Sequence, residues 1–175
     1  SNVVAGPQFG FLATAEGAGT TWYRNARDNV LTPWRNDTVT RTPSEAVYVR
    51  DDETGRIATP TALPIPTGRH LCRHGFGRTT YVHNTAYVHL ELTQFVPDGE
   101  TLKVGRLRVT NPTDRARRYT ITTYAEAVLG QHRHGSAGRL ISSRDAQTGA
   151  LFVRNPWSLQ YADQVVFADL AGAQE

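Results

Sequence analysis

The chain has 175 residues, of which 39% are hydrophobic and 20% charged, and its longest apolar runs are far shorter than a membrane-spanning helix requires. Its net charge is +3, but the basic residues, all arginine except Lys103, are scattered in ones and twos. This scatter argues against a nucleic-acid-binding face, so no nucleic-acid partner is predicted. The single cysteine, Cys72, excludes an intrachain disulfide.

Turns that contain glycine beside short apolar segments predict two of the strands. Residues 46–50 form one such segment, and it ends in an acidic turn that contains Gly55. A similar acidic turn, ending at Gly149, precedes an apolar segment over 150–153. Glycine readily takes the left-handed backbone conformation of tight turns, so both sites favour hairpins.

The clearest strand signal lies in the middle of the chain. Over residues 87–96, apolar and polar side chains alternate, which is typical of a half-buried strand. The apolar face of that strand consists of Val88, Leu90 and Leu92. A turn at 97–99 then leads into a second predicted strand over 102–109, with a bulge at Gly105.

The last part of the chain contains two further predicted strands, over 119–128 and 164–168. Residues 131–143 are polar and contain glycine, which indicates a loop. Strands of this length, with no helical segments between them, predict an all-β protein, a large antiparallel β-sandwich. We expect residues 1–175 to form one such domain, a fragment of something longer.

A segment over residues 20–38 has no clean period and is predicted to be a loop. Its rings could stack on sugar faces, and its planar polar groups could bond to sugar hydroxyls. The alternative is that the tryptophans merely anchor the loop and that arginine–aspartate pairs hold it. The candidate carbohydrate-binding or interface residues are Trp22, Tyr23, Arg24, Asn25, Arg27, Asp28 and Trp34.

A possible metal-ligand pattern occurs at His70, Cys72 and His74, whose side chains would share one face of a strand. His83 or His89 could add a fourth ligand. Structural zinc sites usually contain a second, equally tight ligand pair, which is missing here. We therefore interpret the pattern as an ordinary strand face and predict no metal or other cofactor.

Catalytic residues are not predicted in this chain. Two-acid glycoside chemistry needs one protonated and one ionised carboxyl group, and neither available carboxylate pair has such surroundings. Those pairs are Asp28 with Asp37 and Glu91 with Glu126. Another hypothesis is an epimerase-like enzyme, which needs a histidine and a carboxylate in one cleft; its candidates are His74 or His89 with Glu91 or Glu126.

Several motifs in order resemble one known family over nearly the whole chain. They include the segments 10–37, 45–55, 73–77, 89–97 and 150–157. Together they resemble the N-terminal domain of the cellobiose-phosphorylase-like family, closest to its cyclic β-1,2-glucan synthase branch. The match includes Trp22 to Asn29, although Asn25 stands where the disaccharide phosphorylases commonly have a carboxylate.

The resemblance implies a supersandwich fold related in shape to galactose mutarotase, preceding an (α/α)6 catalytic barrel that this chain does not contain. It implies an accessory role in a β-glucan phosphorylase or glucan synthase, supporting substrate access and barrel assembly. The implied partners are β-glucan oligosaccharide, that barrel and a second copy of the chain. The implied location is the cytoplasmic side of a parent protein anchored in the bacterial inner membrane. The alternative is a purely structural or dimerising sandwich without sugar contact.

Overall fold

The computed structural model describes residues 1–34 and 42–171. Asp37, considered above as a possible catalytic partner of Asp28 and rejected, lies outside these residues. Within the described ranges, the structure is built almost entirely of β-strands, with a single helical turn. No helix in this part of the chain is long and apolar enough to cross a membrane.

The first ten strands lie in the first two thirds of the chain. In chain order they are β1 Asn2–Ala5, β2 Phe9–Ala13, β3 Gly19–Tyr23, β4 Val30–Thr32, β5 Glu45–Asp51, β6 Ile57–Ala58, β7 His70–Gly75, β8 Arg78–Asn84, β9 His89–Phe95 and β10 Val104–Thr110. The elements after them are β11 Tyr119–Ala125, α1 Arg133–Ser136, β12 Ile141–Arg144, β13 Leu151–Arg154 and β14 Val165–Ala168.

These strands form four antiparallel sheets. Three of them consist of sequential neighbours: β1 to β4, β7 to β10, and β12 to β14. The fourth sheet has the order β11-β5-β6, so a strand from late in the chain pairs with two early ones. The all-β supersandwich architecture predicted from the sequence is confirmed.

The hydrophobic core lies on the inner face of the β7 to β10 sheet. One cluster joins this face to β1 and β2, and its buried members are Val4, Phe11, Ala13, Tyr81 and Leu92. A second cluster joins it to β5 and β6, and its buried members are Val49, Ala58, Val88 and Leu90. One sheet therefore covers two others, which is how the sandwich is closed.

The alternation predicted around β9 is confirmed, since Val88, Leu90 and Leu92 are all buried. The bulge predicted at Gly105 is wrong, because the register between β9 and β10 runs unbroken through that residue. The backbone at this position also has room for a side chain, because a Cβ atom would meet its neighbour at an ordinary van der Waals distance. A Cβ atom at Gly105 would lie 3.5 Å from a methyl carbon of Leu92.

A polar cluster centred on Glu45 links the sheets beside the first hydrophobic cluster. One carboxylate oxygen accepts hydrogen bonds from the hydroxyls of Thr21, at 2.7 Å, and Thr32, at 2.8 Å. The other accepts from Lys103 at 2.6 Å, and the Lys103 ammonium lies 4.5 Å from the ring centre of Phe11. Burial alone would raise the pKa of Glu45, but the Lys103 charge and these hydrogen bonds lower it.

The loop prediction for residues 20–38 is partly wrong, because the segment contains most of β3 and all of β4. The pairing of these strands shifts register between Thr21 and Trp22, so no simple alternation shows in the sequence. The loop predicted at 131–143 likewise contains α1 and the start of β12. Helical turns and strands this short leave little periodic signal.

Candidate functional site

Trp22 and Tyr23 form the end of β3, where the candidate segment begins. Trp22 lies opposite Gly10 of β2. A Cβ atom at Gly10 would lie 2.7 Å from the indole carbon Cζ2, so the Trp22 ring rests on the backbone of β2. Trp22 is half-buried, so part of its side chain packs on β2 and the rest is accessible to solvent.

Arg24 turns the chain out of the sheet. Its φ of 62° is in the left-handed region, and its amide donates a hydrogen bond of 2.5 Å to the carbonyl of Gln8. The Arg24 guanidinium carbon lies 5.2 Å from the ring centre of Tyr23, within the range of a cation–π contact. Tyr23 and Arg24 therefore present a charged, aromatic pair at the start of the loop.

Asn25 holds the turn that follows. Its side-chain oxygen accepts hydrogen bonds from the amides of Arg27 and Asp28, both at 2.9 Å. Its side-chain nitrogen donates to Asp28 at 3.1 Å, and the other Asp28 oxygen accepts from Gln131 at 2.7 Å. An aspartate in place of Asn25 would bring two carboxylates together, so asparagine suits this turn in which Asp28 is the neighbour.

Two more amide side chains tie the loop to segments distant in sequence. The buried Asn29 donates to the carbonyl of Tyr23 at 3.0 Å and to the side chain of Gln164 at 2.9 Å. Asn155, also buried, donates to the carbonyl of Leu129 at 3.0 Å. An isolated bridge pairs Val30 with Gly130. We call the combined surface of residues 22–30, 129–131 and 155–164 the loop end.

The loop end contains an aromatic residue that the sequence analysis did not select. Trp157 is 71% exposed, and its amide donates to the side chain of Asn155 at 3.2 Å. The sequence Asn-Pro-Trp could have indicated this exposed ring, because asparagine before proline favours a turn.

The structure brings six of the seven predicted residues together in the loop end. Arg24 and Arg27 are exposed, whereas the polar groups of Asn25 and Asp28 bond to each other and to neighbouring groups. Trp34 lies beyond the end of β4 and is 40% exposed. Among the described residues, no ring contact joins Trp34 to the loop end.

The histidine and cysteine pattern on β7 does not assemble a metal site. His70 stacks on His83, with ring centres 3.8 Å apart, and Cys72 Sγ lies 3.7 Å from each ring nitrogen of His74. Within residues 1–34 and 42–171, no group of three or more histidine, cysteine, aspartate or glutamate side chains is arranged to hold a metal ion.

Of the acid–base pairs of the epimerase hypothesis, His74 and Glu91 line one shallow hollow but lie far apart across it. His74 and Glu91 lie on strands separated by β8 and are three residues out of register, which places their Cα atoms roughly 14 Å apart. Glu126 lies elsewhere and pairs with Arg133. His89 and Glu91 share a face of β9 but point outward, away from the core.

Comparison with known proteins relates the whole chain to one family. A family model for the glycosyl hydrolase 94 supersandwich domain matches residues 1–175. Cyclic beta-(1,2)-glucan synthase NdvB of Rhizobium meliloti (strain 1021) is 36% identical over an alignment 177 residues long, which covers 98% of this chain and 6% of the synthase. The N,N'-diacetylchitobiose phosphorylases of Vibrio proteolyticus and Vibrio furnissii are 23% and 25% identical over 130 residues, 72% of this chain and 16% of each enzyme.

Proposed function

The chain belongs to the glycosyl hydrolase 94 supersandwich-domain family, and we propose that it serves as an accessory domain of a β-glucan synthase or phosphorylase. It contributes no catalytic residue; it supports assembly of an (α/α)6 catalytic barrel and access of β-glucan to it. The parent enzyme acts on the cytoplasmic side of the inner membrane. We also propose that the sandwich is related in shape to the galactose mutarotase fold.

The observation that carries the assembly role is the open sheet β12 to β14. Val165 and Phe167, on one face, are 56% and 51% exposed, and Leu151, on the other face, is 54% exposed. Exposed apolar side chains on both faces of a sheet mark surfaces that other elements cover. The chain spans only 6% of the synthase it resembles. We therefore expect other segments of the parent polypeptide to pack on these exposed side chains.

The loop end supports the carbohydrate role. It presents the exposed Trp157 and the stacked pair of Tyr23 and Arg24, which supply a ring face and a planar hydrogen-bond donor. The hydrogen bonds of Asn25, Asp28 and Asn29 hold these groups on a rigid base. A rigid site loses less conformational entropy when it binds a flexible glucan.

A second candidate is a purely structural or dimerising sandwich. The observation in its favour is that Asn25 and Asp28 bond to protein groups and not outward. In that case the loop end is a contact surface for another protein segment or a second copy.

Calorimetric titration of the chain with β-1,2-linked glucan oligosaccharides distinguishes the two candidates, with tryptophan fluorescence as a second readout. We expect saturable binding that Trp157→Ala and Trp22→Ala each weaken by roughly tenfold, since aromatic anchors carry much of the energy of such contacts. Trp34→Ala tests the remaining predicted ring. Tyr124→Ala, an exposed aromatic residue on β11, is the control and should change nothing.

The opposite result is no heat and no spectral change up to about 10 mM sugar. It would reject a carbohydrate role for the loop end and leave the structural candidate. Binding of α-1,4-linked glucose oligomers with equal affinity would also reject selective recognition of β-glucan.

A further inference from the structure

The outer face of the β7 to β10 sheet carries a polar row that the proposed function does not use. The register places Arg73 opposite Thr80, Thr80 opposite Thr93, and Thr93 opposite Arg106. Opposite residues of antiparallel strands share a face, so the row crosses all four strands. With neighbouring strands about 4.8 Å apart, the Cα atoms of the two arginines are roughly 14 Å from each other.

This row lines a hollow of about 430 Å³. Arg78 and Glu91 also line it, one on either side of the row. Arg73, Arg78 and Arg106 are all exposed, and none of their guanidinium groups makes a hydrogen bond or ion pair with any other described residue. Three guanidinium groups are therefore free to bind a ligand from solvent.

The floor of the hollow supplies a further donor. The hydroxyls of Thr80 and Thr93 lie 3.1 Å apart and hydrogen-bond to each other. Only one of the two protons is used in that bond, so the second hydroxyl proton can point to a ligand.

The charge of the hollow selects an anion. Its three arginines and Glu91 give a net charge of +2 (three positive charges and one negative). His74 also lines it, and loss of solvation lowers the pKa of His74 below its usual range, so it adds little positive charge. Glu91 makes no ion pair with the hollow's arginines and so opposes an anion bound there.

We propose that this hollow binds a phosphate group, either as inorganic phosphate or as part of a sugar phosphate. The planar guanidinium group forms paired hydrogen bonds with phosphate oxygens, and arginines approach from both ends of the row. The threonine floor donates the remaining hydrogen bond. The site lies on a different sheet from the loop end and is independent of it.

Calorimetric titrations of the 175-residue chain with sodium phosphate and with a hexose phosphate, at constant low ionic strength, test this proposal. We expect saturable binding that Arg73→Gln and Arg106→Gln each weaken by roughly tenfold. Glu91→Gln should tighten binding by a few-fold, because it removes the opposing charge. Arg118→Gln, an exposed arginine outside the hollow, is the matched control and should bind like the original chain. The compound that binds more tightly identifies the source of the phosphate.

Three results would overturn the proposal. They are no binding of either compound up to about 20 mM, an equal loss of affinity in Arg118→Gln, and equal binding of the neutral hexose. Circular dichroism of each variant separates a lost fold from a lost site. Because β-glucan binding is measured at the loop end, failure here leaves the proposed function standing.

Discussion

At the residue scale, the contact between His70 and His83 places two titratable rings side by side. The two rings stack at 3.8 Å, and His83 Nδ1 bonds to the carbonyl of Thr59 at 2.8 Å. Nε2 of His70 is buried and has no hydrogen-bond partner among the described residues. Burial, and second the charge of His83, lower the pKa of His70 below its usual range.

This histidine pair predicts a loss of stability in mild acid. The unfolded chain takes up a proton at His70 near pH 6.5, whereas the folded chain takes it up only at lower pH. The stabilising contribution of neutral His70 is therefore complete above pH 6.5 and declines as the pH falls below that value. We expect the Tm to fall between pH 7.5 and 5.5, and to fall less in His70→Phe, which keeps a ring at this position.

The control is His132→Gln, which changes an exposed histidine and leaves His70 intact, so the fall in Tm should persist. Carboxylates change the stability of the fold in a separate, lower range of pH. Burial would raise the pKa of Asp51, but hydrogen bonds from Thr54 and the Glu53 amide and the charge of Arg117 lower it, so its contribution is lost only below about pH 4. A Tm that stays constant from pH 7.5 to 5.5 would contradict the prediction for His70.

At the scale of elements, the contact between β2 and β3 decides where Trp22 lies. A Cβ atom at Gly10 would come within 2.7 Å of both the Ala5 Cβ and the Trp22 ring. Only glycine lets the indole rest on the strand. The loop end is thus built on a close approach of two strands and not only on its own turn.

Gly10→Ala should lower the free energy of unfolding by about 2 kcal/mol, because the added methyl group must displace Trp22 or separate β2 from β1. Urea unfolding measures the loss, and a red shift of tryptophan emission reports the displaced ring. Gly138→Ala is the matched control, since a Cβ atom there would meet no atom within 4 Å. Equal stability of the two variants would show that β2 and β3 adjust without cost.

At the scale of the whole molecule, the described part of the chain combines a closed core with one open sheet. Phe11 is fully buried between β2 and the β7 to β10 sheet, whereas Phe167 on β14 is 51% exposed. The two phenylalanines therefore have different surroundings: the first holds the sandwich together, and the second lies half exposed on the open sheet.

Phe167→Ser should change the free energy of unfolding by less than about 1 kcal/mol, since its ring is already half in water. The same substitution should reduce binding of a hydrophobic dye, because it removes part of the open apolar face. Phe11→Ala, the buried counterpart, should cost about 3–5 kcal/mol. If both variants lost stability equally, the β12 to β14 sheet would be part of the core and not a docking surface.

The sequence by itself determined the β class, the alternation of β9, the turns at Gly55 and Gly149, and the family. Both glycines have the positive φ that their turns require, at 70° and 78°. These features are local, because pleating sets the period of a strand and sterics restrict positive φ to few residues. Ordered motifs could likewise be recognised without knowing any contact.

Only the tertiary structure decided which distant segments meet. It paired β11 with β5, joined Asp28 to Gln131 and Asn29 to Gln164, and aligned Arg73 with Arg106 across four strands. Hydrogen bonds between distant strands leave no period in the sequence, and a shift of one residue would have moved each side chain to the opposite face. Register and packing therefore created the loop end and the arginine-lined hollow from residues that the sequence alone leaves scattered.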